Sequence, residues 1–108
     1  MNDLIGRDMI LLDKTGTSIA RLLQIEQSGQ FLCGQVHALN MPKGLMELLE
    51  EQNELINDMI LSLLDEMAEK IDAYGLYLKD TDWLLDDVML GDDHRIYFKL
   101  KPRLSLTE

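Results

Sequence analysis

Residues 42–73 read PKGLMELLEEQNELINDMILSLLDEMAEKIDA, and this stretch decides the fold class. Leu45, Leu48, Leu49, Ile56, Met59, Ile60, Leu63, Met67 and Ile71 recur mainly at spacings of three and four, the period of a helix with one apolar face. Pro42 suits a first helical position, where its missing N–H costs nothing. Gly75 is a natural stop. The other face carries Glu47, Glu51, Glu54, Asp58, Asp65, Glu69 and Asp72, a carboxylate stripe with almost no lysine or arginine interleaved. Met46, Leu55, Leu61, Leu64 and Ala68 widen the apolar arc, which implies cover on more than one side. An unbroken helix of this length would run ~46 Å. A globule of this size is only ~34 Å across. The helix is therefore expected either to kink in the polar run Glu50-Glu51-Gln52-Asn53-Glu54 or to pack against a second copy, and a homodimer is favoured.

Strand patterns flank the helix. Residues 8–12 form a short apolar run, followed by the turn formers Asp13-Lys14-Thr15-Gly16-Thr17. In residues 18–26, Ile19, Leu23 and Ile25 alternate with Ala20, Gln24 and Glu26. Gln27-Ser28-Gly29-Gln30 reads as a hairpin turn. Residues 31–39 are a third strand, in which Gly34 marks a bulge or a close backbone approach. Short connections in succession predict an antiparallel meander over 8–39. After the helix, Leu76 and Leu78 alternate with Tyr77 and Lys79, and Asp80-Thr81-Asp82 is a turn. Trp83 opens an apolar run to Leu90 that Asp86-Asp87 interrupts, as a bulge or an exposed edge would. Gly91-Asp92-Asp93 turns into a strand on which Ile96, Phe98 and Leu100 oppose Arg95, Tyr97, Lys99 and Lys101, with Pro102 ending it and Arg103 extending the basic side. Residues 104–108 read as a frayed tail.

The expected architecture is one α+β domain over residues 1–108: an antiparallel N-terminal β-meander, one long amphipathic helix over 42–73, and a second antiparallel β segment over 76–101. A chain of 108 residues suits a single core.

The net charge of −10 is unevenly spread. Residues 42–73 contain nine acidic and two basic side chains; the segments before and after them are close to balanced. Such a surface repels nucleic acid and anionic lipid and attracts basic proteins. No apolar run approaches the ~20 residues of a membrane span, and the N-terminus shows no basic-then-apolar leader. Cys33 is the single cysteine, so no internal disulfide forms and a reducing cytoplasm fits. It reads as a small buried apolar side chain on a strand.

One short motif points to chemistry. Asp13-Lys14-Thr15-Gly16-Thr17, following the apolar Met9-Ile10-Leu11-Leu12, resembles the phosphorylation motif of P-type ATPases. The resemblance implies Asp13 as a covalent carboxylate nucleophile, with Gly91-Asp92-Asp93 a weak echo of that family's magnesium-binding loop. It covers five residues. The parallel sheet that such chemistry needs requires crossovers of a dozen or more residues, whereas about four residues join the first two strands here. Asp80, Asp82, Asp86, Asp87, Asp92, Asp93 and His94 are rich in oxygen donors but lack the spacing of a calcium loop. His37, His94 and Cys33 lack the paired spacing of a zinc site.

The reading reached from sequence is a small acidic, non-enzymatic protein-interaction or regulatory protein, homodimeric and cytoplasmic, with no catalytic residue, cofactor or metal. Its partner would be a second copy or a basic protein, not nucleic acid or membrane, and the carboxylate stripe would be the partner-binding surface. An acidic inhibitor that imitates nucleic acid on a basic target is the alternative. A phosphoryl-transfer enzyme using Asp13 is the third.

Overall fold

The structure, a computed structural model, describes residues 4–102. Arg103 and the tail at 104–108 lie outside the described residues. Among the described residues there are six strands: β1 (Met9–Leu12), β2 (Ser18–Ser28), β3 (Phe31–Ala38), β4 (Tyr77–Leu78), β5 (Trp83–Leu90) and β6 (Arg95–Pro102). Between β3 and β4 lie helix α1 (Lys43–Asn57), a 3₁₀ turn (Leu61–Leu63) and helix α2 (Leu64–Asp72).

The strands close into a barrel in the order β1-β2-β3-β6-β5-β4, every pair antiparallel. This overturns the expected layout of a meander, one long helix and a separate β segment. The two groups of strands are sewn together along both edges. Leu32 to Gln35 of β3 pair with Phe98 to Arg95 of β6, and Leu11 and Leu12 of β1 pair with Leu78 and Tyr77 of β4. Closure leaves neither half-sheet with a long unpaired edge, which is the physical gain of a barrel over two open meanders.

Among the described residues the register slips at three places: between Leu11 and Leu12 where β1 pairs with β2, and once more in each half of the wall. The β2–β3 register slips between Leu23 and Glu26, with Gln24 at φ +52°. Asp8 Oδ1 accepts the Gln24 N–H at 2.9 Å and holds the irregularity. An extra residue flips the inward parity, so Ala20 and Leu22 are buried before the bulge and Ile25 after it. The simple alternation of Ile19, Leu23 and Ile25 therefore fails: Leu23 is only half-buried. In β5 the slip lies between Asp86 and Met89, with Asp87 at φ +49°, where two aspartates interrupt the apolar run. Gly34 makes a close approach, since a Cβ there would sit 3.1 Å from the Leu22 Cβ.

The predicted single helix is two. Its break falls at residues 58–60, after the polar run at 50–54 rather than within it. Glutamate and glutamine are good helix formers, so polarity alone does not stop a helix. What stops it is a paired hydrogen-bond cap. The Met59 N–H donates to the Ile56 carbonyl at 3.1 Å and the Ile60 N–H to the Leu55 carbonyl at 2.9 Å, with Met59 at φ +61°. This is the Schellman arrangement, with methionine where glycine is usual. Fifteen residues of α1 span ~22 Å, and the molecule measures 36 × 32 × 27 Å. The length argument for a second copy is thereby removed. The helices pack on each other and on β5. Leu45, Leu49 and Ile71 join the core of Leu11, Leu22, Ile25, Leu78, Ile96 and Phe98. Among the described residues no helix is long and apolar enough to cross a membrane.

Candidate functional site

Asp13 is occupied by its own turn. Its Oδ1 accepts the Thr15 N–H at 2.9 Å, the Thr15 hydroxyl at 2.6 Å and the Thr17 N–H at 3.2 Å. The Thr15 hydroxyl bond, the largest influence, holds its carboxyl below the usual aspartate range. The connection is a tight antiparallel link between β1 and β2, so the parallel-sheet setting of the ATPase motif is missing.

Asp86, Asp87 and Asp93 of the C-terminal half likewise hold local partners. Asp86 and Asp87 lie 3.5 Å from Lys101 and Lys99. Asp93 accepts the Tyr97 hydroxyl at 2.9 Å and the Arg95 N–H at 3.2 Å. The Tyr97 bond chiefly keeps the Asp93 carboxyl low. No group of three or more His, Cys, Asp or Glu side chains arranged to hold a metal occurs among the described residues. Arg95 also lies 3.5 Å from Glu26, and its Nη1 is 3.9 Å from the Cys33 sulfur. Lys99 stands 5.0 Å above the Phe31 ring. Arg95, Lys99 and Lys101 are thus engaged within the barrel wall.

The helical side is different. Glu47, Glu51, Glu54 and Asp58 on and just after α1, and Asp65, Glu69 and Asp72 on α2, are all exposed. No ion pair within 4.0 Å joins any of the seven to a lysine or arginine among the described residues. The break between the helices also divides the stripe in two. Partial burial raises the Asp72 carboxyl above the usual range, with Lys101 of the wall opposing the shift and Asp86 and Asp87 adding to it.

Beside α1 the structure opens a groove of about 580 Å³. Met46, Glu50 and Glu54 of α1 form one side, and Val36 and Ala38 of β3 the other. Leu90 and the β5–β6 turn, with Asp92 and His94, form the rest. The turn is tethered to the helix. Asn53 and Asn57, four residues apart and so on one face of α1, donate to Asp92 Oδ1 at 2.8 and 3.3 Å. Those bonds, Asn53 first, hold the Asp92 carboxyl below the usual range. Gly91 is required in the turn because a Cβ would fall 2.7 Å from the Tyr97 ring. The lining has three carboxylates, apolar surface and no lysine or arginine.

Of the seven stripe residues predicted as a surface, only Glu54 reaches this groove. Glu50 and Ala38 are additions that tertiary structure makes, and Asp92 and His94, noted in the sequence only among possible metal donors, are brought here by the β5–β6 turn. The one local hint was the Asn53/Asn57 spacing, which marks a face but not its partner. A second feature is the exposed apolar knuckle at the helix break, where Met59 is 74% and Leu63 45% accessible. Comparison with protein-family models, curated proteins and solved structures finds no match to this chain.

Proposed function

We propose that the protein is a non-enzymatic interaction module whose α1 flank and adjoining groove dock a basic segment of a partner protein. The observation that carries this reading is the asymmetry of charge. The barrel's cations on β6 are paired within the wall, whereas the helical carboxylates face solvent beside a groove lined by Glu50, Glu54 and Asp92. Opposite potentials speed encounter and set orientation. A second copy is the poorer partner, because each copy brings a net charge of −10. Imitation of a nucleic-acid backbone is also less favoured, since the break at 58–60 removes the single straight axis that regular phosphate spacing would need. Asp13, held in its turn, gives the phosphoryl-transfer reading no support.

The test is calorimetric titration with a lysine-rich peptide. Binding should be clear at low ionic strength and vanish near 1 M salt, where the Debye length is ~3 Å. Glu50→Lys/Glu54→Lys should weaken it about tenfold or more. Asp80→Lys/Asp82→Lys, an equal charge change at an exposed turn, should weaken it much less. Equal losses in the two variants would show attraction to net charge alone and overturn the reading.

A further inference from the structure

The groove has a backbone side as well as a charged one. Strand β3 is bordered by β2 along its length, but β6 covers its other edge only from Leu32 to Gln35. The last bond on that edge is the Val36 N–H to the His94 carbonyl at 3.3 Å. Beyond it the chain of β6 turns away through Gly91–His94, held by the Gly91 N–H to Arg95 carbonyl bond at 2.8 Å and by Asp92 on α1. On the β2 edge the Leu39 N–H donates to the Ile19 carbonyl at 3.0 Å. Backbone groups alternate sides along a strand. Residues 37 and 39 therefore turn toward β2, while 36 and 38 turn toward β6. Ala38 directs its N–H and carbonyl to the side where β6 has ended, and Ala38 lines the groove.

We infer that the groove receives an extended, basic peptide segment that adds a short strand to the β3 edge at Ala38. This inference rests on the basic-partner reading above and names its mode of recognition. An added strand exchanges main-chain hydrogen bonds with the open edge, while its alternating side chains are read by the groove walls. Apolar side chains of the segment meet Met46 and Leu90, and cationic ones meet Glu50, Glu54 and Asp92. An acidic segment is excluded by the same three carboxylates. The site is narrow, a single pair of hydrogen bonds at the mouth of the barrel, so side-chain charge contributes most of the encounter and the backbone pair sets register.

Two synthetic probes separate the terms: a labelled peptide alternating lysine and valine, and the same peptide N-methylated at each central residue. The second keeps every charge but cannot donate to a strand. The parent peptide should bind the full chain, with the N-methylated form about tenfold weaker. Exchange of the Ala38 amide should slow on binding. Ala38→Pro removes an N–H that no neighbouring strand uses, and should weaken the parent peptide to the level of the methylated one. Ala38→Lys, which keeps the backbone and places a cation in the groove, should do the same if the proline variant fails to fold. Equal binding of both peptides overturns strand addition and leaves the basic-partner reading standing. No binding of either peptide to the unaltered chain overturns both.

Discussion

The β5–β6 wall and the α1–α2 flank handle charge in opposite ways. On the wall, diagonal neighbours across two strands come within reach of long side chains, so Asp86, opposite Lys99 in the register, meets Lys101, and Asp87 in the bulge meets Lys99. On a helix the surface neighbours are three and four residues away in the same sequence. For Glu47 those positions hold Glu50 and Glu51, with Lys43 the one cation; for Glu54 they hold Glu50, Glu51 and Asp58. Like charges at that spacing cost ~0.2–0.5 kcal/mol each. The wall neutralises itself, and the flank keeps a potential available to a partner.

Packing divides the two regions more sharply than charge does. Phe98 is fully buried in the barrel core, whereas Leu63 on the flank is 45% accessible. Phe98→Ala should cost ~3–5 kcal/mol through lost burial and the cavity left behind. Leu63→Ser should stay within ~0.5 kcal/mol, as surface changes do. Urea denaturation of both variants checks this, and similar losses would mean that the knuckle is covered.

Gln52 marks the inner limit of the flank. It is only 5% accessible, and its Oε1 has no hydrogen-bond partner among the described residues. A buried unsatisfied acceptor costs ~1–3 kcal/mol, so Gln52→Leu should raise the urea midpoint. A fall in the midpoint would show that Gln52 makes a bond worth more than its burial costs. At the outer limit, Met59 occupies a left-handed conformation that suits glycine. Met59→Gly should stabilise the cap by up to ~1 kcal/mol. A drop in melting temperature would instead mean that the Met59 side chain is needed.

The smallest effect concerns acid pH, where the turns and the flank differ in sign. Asp13, Asp92 and Asp93 titrate below the usual aspartate value of 3.8. They contribute stability that is present above 3.8 and is lost as pH falls through their lowered values. Asp72 titrates above 3.8. Its contribution is present below 3.8 and is lost as pH rises through the raised value. Asp72→Asn should therefore raise the melting temperature slightly at neutral pH, and Asp92→Asn should lower it slightly. Melting curves across pH 2–7 check both signs, and the same direction for both would remove the distinction.

Sequence alone determined what depends on neighbours along the chain. Turns at Gly29 and Gly91, the outward side of β6 and the helical period of residues 42–73 are all local, because a residue's backbone preference and its i, i+2 or i, i+4 neighbours are written in order. The helix break was less legible, since its Schellman cap uses Met59 rather than glycine and leaves no compositional mark. The bulge at Gln24 was hidden for a similar reason: nothing there resembles a turn residue, and Asp8, which holds it, lies sixteen residues away, just before β1. Barrel closure was decided only by tertiary structure. Leu32 meets Phe98 and Leu11 meets Leu78, contacts across more than sixty residues whose register no local pattern encodes. The groove follows from that closure. Glu50 and Ala38 are unremarkable in order along the chain, Asp92 stands out only as one of several turn aspartates, and the three become one surface only because the β3–β6 pairing stops short of Ala38 where α1 passes beside it.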